Sequence, residues 1–160
     1  MTGITFTPIG VVHSPFRDPR NMPIQPVGAR GVRGTVELDP VYAAGVKDLA
    51  GFSRIILLYH LHRSEGYTLE VVPFLDTAPH GVFATRAPRR PNAIGLSILR
   101  LVAVDGTTLH VEDVDILDGT PVLDIKPYVP AFDAYPDERA GWLAAGAEDP
   151  RTVRSDGRFC

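Results

Sequence analysis

The chain has 160 residues, of which 44% are hydrophobic and 22% are charged, as expected of a globular domain with its own core. Its formal net charge of −3 argues against a protein coated with positive charge to hold nucleic acid nonspecifically. No apolar run reaches the ~18 residues that a membrane helix needs, and the first residues do not resemble a signal peptide. The lone Cys160 cannot build a disulfide framework, so we expect a cytoplasmic protein without a membrane partner.

The first third of the chain predicts two strands, a long loop and a helix. We expect strands from Ile4 to His13 and from Gly34 to Leu38, with a loop rich in Pro, Arg and Gly from Pro15 to Arg33. Long loops inside compact domains are often functional. The pair Asp39-Pro40, a capping acid before a proline, predicts the start of a helix that ends near Leu49.

The rest of the chain predicts mainly strands. These are Ser53 to His62, Glu70 to Pro73, Gly81 to Arg86, Ile94 to Val104, Thr107 to Val114 and Pro121 to Pro127. Asp105-Gly106 is a strong hairpin pattern between two of them. A second short helix should run from Pro136 to Ala145 and end at Gly146, and we expect a polar, mobile tail after Asp149. About seven strands against one or two short helices favour a mostly antiparallel barrel or closed sheet.

A basic loop between Gly81 and Ser97 is the most informative segment for function. Its sequence, GVFATRAPRRPNAIGLS, places Arg86, Arg89 and Arg90 between two apolar runs, and two prolines stiffen it. Arginine offers a fixed fork of donors to a carboxylate or a phosphate. The loop therefore predicts a preorganised site for an anionic group.

Other motifs carry both a functional and an ordinary structural interpretation. His60 and His62 have a spacing of two, which places both side chains on one face of a strand. They could hold a metal with a third ligand from Asp76, His80 or His110, or they could serve only as hydrogen-bonding partners at a strand end. The chain has no Gly-rich turn of the Rossmann type and no phosphate-binding P-loop.

Two segments later in the chain also allow both a functional and a structural interpretation. Leu117 to Pro121 is a good turn around Gly119, and its exposed backbone groups could also meet a ligand. Asp124, Lys126 and Tyr128 share one face of the last strand. That face is either a solvated surface with an Asp–Lys pair or the lining of a pocket.

Three motifs together resemble the TsaA-like (YaeB/TrmO) family of tRNA methyltransferases. They are IGVVHSPF near the start, GVFATRAPRRPNAIGLS in the middle and DILDGTPVLDIKPYVP near the end. The resemblance covers about residues 4 to 133 and implies a mainly β fold, a single-sheeted antiparallel β-barrel. It implies a barrel domain over residues 1–133 followed by a short helical or irregular tail over 134–160. The chain resembles compact members, without the additional C-terminal domain of the better-known bacterial enzymes.

The resemblance also implies the activity and the residues that carry it. The cofactor is expected to be S-adenosylmethionine, bound near the interface of a homodimer, and the reaction is expected to be N6-methylation of threonylcarbamoyladenosine next to the tRNA anticodon. The implied cofactor contacts are Gln25, Pro26, Val27, His62, Arg63, Arg86, Leu96, Leu117, Asp118, Gly119 and Thr120. The residues we expect to meet the tRNA, or another small adenosine-containing substrate, are Arg89, Arg90, Asn92, Lys126 and Tyr128.

The residue that would take a proton from the methyl acceptor stays open at this point. Asp118, Asp124 and His62 are the candidates, and their positions in the sequence do not choose among them. Two other functions also stay open. One is a metal-dependent hydrolase that uses His60 and His62, and the other is a noncatalytic module that binds S-adenosylmethionine.

Overall fold

A computed structural model gives the structure of the chain and describes residues 2–144 and 148–159. Six strands close an antiparallel barrel in the order β1-β2-β7-β6-β3-β8, and β4 and β5 form a separate pair. The strands of the described residues are β1 (Gly10–His13), β2 (Arg33–Leu38), β3 (Arg54–His60), β4 (Glu70–Val71), β5 (His80–Gly81), β6 (Ile94–Asp105), β7 (Thr108–Glu112) and β8 (Thr120–Pro127). The predicted single-sheeted antiparallel barrel is therefore confirmed.

Alternating side chains fill the barrel. Along β3, Ile55, Leu57 and Tyr59 are buried while the residues between them are more exposed. The facing strand β6 repeats this pattern with Ser97 and Leu99. Successive side chains of a strand point to opposite faces, so one set enters the core. Each large apolar side chain that is buried in this way stabilises the fold by about 1.5–3 kcal/mol.

The hairpin between β6 and β7 is confirmed. Gly106 has a positive φ of 58°, which a residue without a Cβ adopts at little cost. The turn allows β7 to pair back along β6, from Asp105 with Thr108 to Arg100 with Glu112. The 12-residue β6 is consequently paired on both sides, with β3 and with β7.

The first predicted strand is too long, and the first predicted helix is of the wrong type. The strand begins only at Gly10, and Ile4 and Phe6 are exposed. Asp39 does cap a helix, since its Oδ1 accepts the N–H of Val41 at 3.0 Å, but the segments are two 3₁₀ helices, Pro40–Val46 and Leu49–Gly51. They are separated at Asp48, whose positive φ of 68° cannot continue a helix.

Two more predictions need correction in the middle and at the end of the chain. The predicted strand from Gly81 to Arg86 is a two-residue strand, His80–Gly81, followed by the 3₁₀ helix Val82–Ala84. Thr85 Oγ1 donates to the carbonyl of Val82 at 2.8 Å and closes this turn. The helix that was expected from Pro136 is only a 3₁₀ turn, Gly141–Ala144, because Gly141 has a positive φ of 59°. Ala145 and Gly146 lie outside the described residues.

A four-residue helix that the sequence did not predict, α1 (Pro130–Asp133), follows the barrel. The predicted loop from Pro15 to Arg33 contains one 3₁₀ turn, Pro26–Gly28. Asp113 ties the end of this loop to the barrel: its Oδ1 accepts the N–H of Gly31 at 2.9 Å and its Oδ2 accepts from Arg54 at 3.2 Å. Among the described residues, no helix has both the length and the apolar character needed to cross a membrane.

We predict that Gly95→Ala lowers the free energy of unfolding by about 1–3 kcal/mol, as overpacking of a core does. Gly95 pairs with Tyr59 across the sheet, and an added Cβ would overlap the ring of this buried tyrosine. Urea denaturation followed by circular dichroism measures the change. Gly45→Ala is the matched control, because its Cβ would meet no heavy atom within 4 Å. Equal unfolding midpoints for the two variants would contradict the close packing at Gly95.

Candidate cofactor and active site

A large cavity opens at the end of the barrel where β3 ends and β6 begins. Its volume is about 1090 Å³, slightly above the usual range of about 300–1,000 Å³ for small-molecule sites. Segments that are distant in the sequence line it together. Of the predicted site residues, the cavity is lined by Gln25, His62, Arg63, Arg86, Arg90, Asn92, Leu96, Leu117 and Thr120.

Arg86 joins two of the predicted segments directly. Its Nη1 donates to Oε1 of Gln25 at 2.9 Å, across 61 residues of sequence. This contact uses one of the five N–H donors of the guanidinium, which keeps the capacity to hold a carboxylate. The basic loop and the first long loop therefore meet at a cation on the cavity wall.

The three arginines of the basic loop have different surroundings. Arg90 Nη1 donates to the carbonyls of Thr85 at 3.0 Å and Ala87 at 3.2 Å, so this side chain holds the shape of its own loop. Arg89 lines a second, smaller cavity of about 540 Å³ together with Glu70 and Arg158. The predicted substrate roles of Arg89 and Arg90 stay predictions. Of the two, Arg90 borders the larger cavity.

The late turn is attached to the first motif of the chain. Asp118 Oδ1 accepts the N–H of Ser14 at 3.0 Å, and the N–H of Asp118 donates to the carbonyl of Phe16 at 2.7 Å. Gly119 has a positive φ of 80°, and its N–H donates to Val12 at 2.8 Å. Among the described residues, Asp118 and Gly119 are not part of the wall of the large cavity, while their neighbours Leu117 and Thr120 are.

The remaining predicted residues lie away from the cavity wall. Lys126 Nζ and Asp124 Oδ2 form an ion pair at 2.7 Å on the outside of β8, where Lys126 is exposed and Asp124 is partly exposed. Such a surface pair contributes little to stability. Tyr128 follows β8, and Pro26 and Val27 belong to the 3₁₀ turn of the first loop. Their predicted binding roles stay predictions.

A polar chain that the sequence did not predict lies at the floor of the cavity. Ser97 Oγ donates to Asp115 Oδ1 at 2.6 Å and lies 2.9 Å from the hydroxyl of Tyr59. Burial raises the pKa of the Asp115 carboxyl to about 7, against the opposing effects of the Ser97 hydrogen bond and the Arg86 charge. Burial also raises the pKa of Tyr59. The sequence feature that could have indicated this polar chain is Ser97, a serine at an inward position of an Ile- and Leu-rich strand.

Burial shifts the pKa of His62 downward, in the opposite direction to the pKa of Asp115. The nearby His60 and Arg63 lower the pKa of His62 further, because a positive charge at this position would be poorly solvated and repelled. His62 is therefore neutral near pH 7. It lines the cavity, while His60 is exposed at the end of β3.

The C-terminal segment contacts the first long loop and forms one wall of the cavity. The predicted mobility after Asp149 stays a prediction. The N–H of Met22 donates to Ser155 Oγ at 2.7 Å, and the N–H of Ser155 returns to the Met22 carbonyl at 2.8 Å. Trp142 Nε1 donates to Ala84 at 2.8 Å, and its ring stacks on His80 at 4.3 Å. The wall residues from this segment are Trp142, Leu143, Glu148, Asp149, Pro150, Ser155, Asp156 and Phe159.

The arrangement does not favour the metal interpretation. The described part of the chain has no group of three or more His, Cys, Asp or Glu residues that could hold a metal ion. Of the proposed third ligands, Asp76 and His80 are paired with each other at 2.7 Å, and His110 is exposed on β7. Cys160 lies outside the described residues.

Comparison with known proteins gives the same family as the three motifs. The sequence profile of the tRNA-methyltransferase O N-terminal domain family matches residues 11–134. A probable S-adenosyl-L-methionine-binding protein of Pyrococcus abyssi is 52% identical over 98% of this chain and 85% of its own length. The tRNA (adenine(37)-N6)-methyltransferase of Escherichia coli is 36% identical over 89% of this chain and 65% of its own length.

Solved structures agree with the sequence comparison. A crystal structure of TrmO from Pseudomonas aeruginosa matches with a TM-score of 0.76 and 39% identity, over 91% of this chain and 63% of that chain. The chain thus spans somewhat less than two thirds of the length of that methyltransferase. With a profile match over most of its length, relatives above 30% identity and the same barrel, the chain belongs to the tRNA-methyltransferase O N-terminal domain family.

Proposed function

We propose that this protein methylates the N6 nitrogen of threonylcarbamoyladenosine next to the tRNA anticodon, in the cytoplasm. The cofactor is S-adenosylmethionine, the compound that names the Pyrococcus abyssi relative. The Escherichia coli relative is named as an adenine-N6 methyltransferase of tRNA position 37. The observation that carries the proposal is the convergence of the first long loop and of two of the three family motifs, the basic loop and the late motif from Asp115, on one cavity beside Arg86.

The residues of the cavity fit this cofactor. Arg86 supplies donors for its carboxylate. Leu96 and Leu117 supply apolar surface for the adenine ring, as most small-molecule sites do. When bound, the cofactor supplies a methyl group on a positively charged sulfur that leaves readily.

The protein's own part in the reaction is alignment. The walls would place the donor and the acceptor next to each other in one cavity, and such positioning supplies a large share of the rate in two-substrate reactions. Arg90 keeps the basic loop in shape through its two carbonyl contacts. Asn92 and Arg63 lie on the cavity wall, where polar and cationic groups suit an RNA strand.

We predict that Arg86→Ala weakens S-adenosylmethionine binding roughly 10- to 100-fold, because hydrogen bonds to charged groups contribute about 1.5–3 kcal/mol. Isothermal titration calorimetry measures the change. Arg100→Ala is the matched control, since Arg100 is an exposed arginine of β6 that pairs with Glu112. Unaltered affinity in Arg86→Ala would remove Arg86 from the cofactor site. An absence of binding by the parent protein would contradict the proposed function.

We predict that the protein transfers a labelled methyl group from S-adenosylmethionine to tRNA that carries threonylcarbamoyladenosine, and not to the same tRNA without that modification. Nucleoside mass spectrometry identifies the product. Binding of the cofactor without methylation of any tRNA would instead indicate a noncatalytic module. The noncatalytic alternative has support in the names of relatives described only as binding proteins.

We further propose that two copies of the chain form a homodimer beside the cavity. Apolar side chains are exposed along this edge: Phe83 is 75% exposed, Leu143 46%, Leu96 43% and Ile94 40%. All four also line the cavity, so a second copy seated on them would border the site. Clusters of exposed apolar side chains of this kind mark interaction surfaces.

We predict that Phe83→Ser weakens self-association at least about fivefold, since truncating an interface anchor costs more than about 1 kcal/mol. Light scattering over a concentration series measures the dimer fraction. Phe132→Ser is the control, because Phe132 is similarly exposed, at 64%, on α1 and outside the cavity wall. A parent protein that stays monomeric at every concentration would contradict the dimer.

A further inference from the structure

Asp115 occupies an unusual place for a carboxyl group. It lies between β7 and β8, lines the cavity, and is flanked in sequence by Val114 and Ile116, which are fully or almost fully buried. Asp115 itself is partly buried, and a carboxylate that loses hydration is costly unless the charge has a use or a partner. None of the three acids or bases that the sequence suggested occupies this position.

Two buried hydroxyls hold the Asp115 carboxyl in one orientation. Ser97 Oγ donates to Oδ1 at 2.6 Å, a short distance typical of a charge-assisted hydrogen bond. Because this hydroxyl donates to Asp115, the hydroxyl of Tyr59 donates to Ser97, at 2.9 Å. Both residues come from the paired strands β3 and β6, and each of these strands also pairs with a second neighbour in the barrel.

The charged and titratable groups that face Asp115 are Tyr59 from β3 and Arg86 from the basic loop. Burial keeps Tyr59 protonated, so it acts as a donor. The Arg86 charge and the Ser97 hydrogen bond favour the carboxylate, while burial favours the neutral acid. The balance raises the pKa of Asp115 to about 7. A group with such a pKa accepts a proton efficiently at neutral pH.

We propose that Asp115 accepts the proton that the acceptor nitrogen loses during methyl transfer, an inference that rests on the proposed function. The nitrogen–carbon bond forms while the carbon–sulfur bond breaks, and the sulfur keeps the bonding pair as a neutral thioether. The N6 nitrogen carries one hydrogen beside a carbonyl group, and its product carries a methyl group in that place. The released proton passes to the carboxylate of Asp115 and from there to water.

The other candidates are less suited to this step. Asp118 holds Ser14 in the first motif, and Asp124 pairs with Lys126 outside the barrel. His62 lines the cavity, but its lowered pKa makes it a weaker base than an ordinary histidine. Asp115 combines a position in the cavity, a fixed orientation and a proton affinity matched to neutral pH.

We predict that Asp115→Asn lowers the rate of methyl transfer under saturating substrates roughly 100- to 10,000-fold, the usual range for a general base. Its S-adenosylmethionine affinity should stay within about threefold, because asparagine preserves the shape of the site. The parent rate should rise with pH through about 7, where Asp115 becomes ionised, and then level off. Asp115→Asn should lose this rise. Asp48→Asn is the matched control, an exposed aspartate at a positive φ that asparagine also tolerates.

A second variant and a measurement without cofactor test the same assignment. Ser97→Ala removes a hydrogen bond that favours the carboxylate, so the rise in rate should move to higher pH. The measurement without cofactor is urea denaturation at several pH values. The folded state binds the Asp115 proton more tightly than the unfolded state, because burial raises the pKa of this carboxyl. The parent should therefore lose stability relative to Asp115→Asn as pH rises from about 4 to about 7.

The outcomes separate this inference from the proposed function. An active parent whose rate and pH profile survive in Asp115→Asn would overturn the role of Asp115 and leave the proposed function standing. An Asp115→Asn variant that folds but no longer binds S-adenosylmethionine would also overturn the role of Asp115. The same holds if only His62→Gln, and not Asp115→Asn, loses the rise of the rate with pH. A parent that methylates no RNA would overturn both.

Discussion

The antiparallel pairing of β3 with β6 is the contact on which the site depends. The pairing runs without a break from Arg54 with Arg100 to His60 with Ile94. It ends where the basic loop enters β6 and where the chain leaves β3 toward His62. Because β6 also pairs with β7 and β3 also pairs with β8, both strands are held from two sides. The loops at this end are thereby attached to rigid supports.

The same pairing explains the floor of the cavity. Gly95 lies opposite Tyr59, and the absence of a side chain at Gly95 leaves room for the tyrosine ring. The ring places its hydroxyl beside Ser97, and Ser97 in turn orients Asp115. A carboxyl group in these surroundings is costly to ionise, and the nearby Arg86 offsets part of that cost. The cavity wall therefore carries a cation, Arg86, whose charge favours the ionised form of the acid Asp115.

The C-terminal segment forms one wall of the cavity. Hydrogen bonds between Met22 and Ser155 and the stack of Trp142 on His80 attach it to two different loops. A relative that spans almost the whole of this chain, from Pyrococcus abyssi, is of similar length, whereas the Escherichia coli methyltransferase is longer. In this chain the segment itself closes one side of the site, and it contributes both apolar and acidic side chains.

Local sequence patterns were sufficient to predict many of the strands and the basic loop. Alternating apolar residues and the Asp105-Gly106 turn predicted the strands from β6 to β8, because strand period and turn chemistry are local properties. The basic loop that contains Arg86 could be predicted as a site for a similar reason, because its arginines and prolines lie next to each other in the sequence. The first helix was mistaken because the backbone at Asp48, with its positive φ, depends on packing that the sequence pattern does not display.

Only the tertiary structure decided which residues share the cavity. Barrel closure brings Asp115 to Ser97 and Tyr59, and it turns Asp118, three residues further along the chain, toward Ser14 instead. It also seats Ser155 against Met22, across 133 residues. Such contacts depend on register and closure, which are properties of the whole barrel rather than of any segment. The sequence by itself determined the fold class and the basic loop, whereas the fold decided which acid faces the arginine.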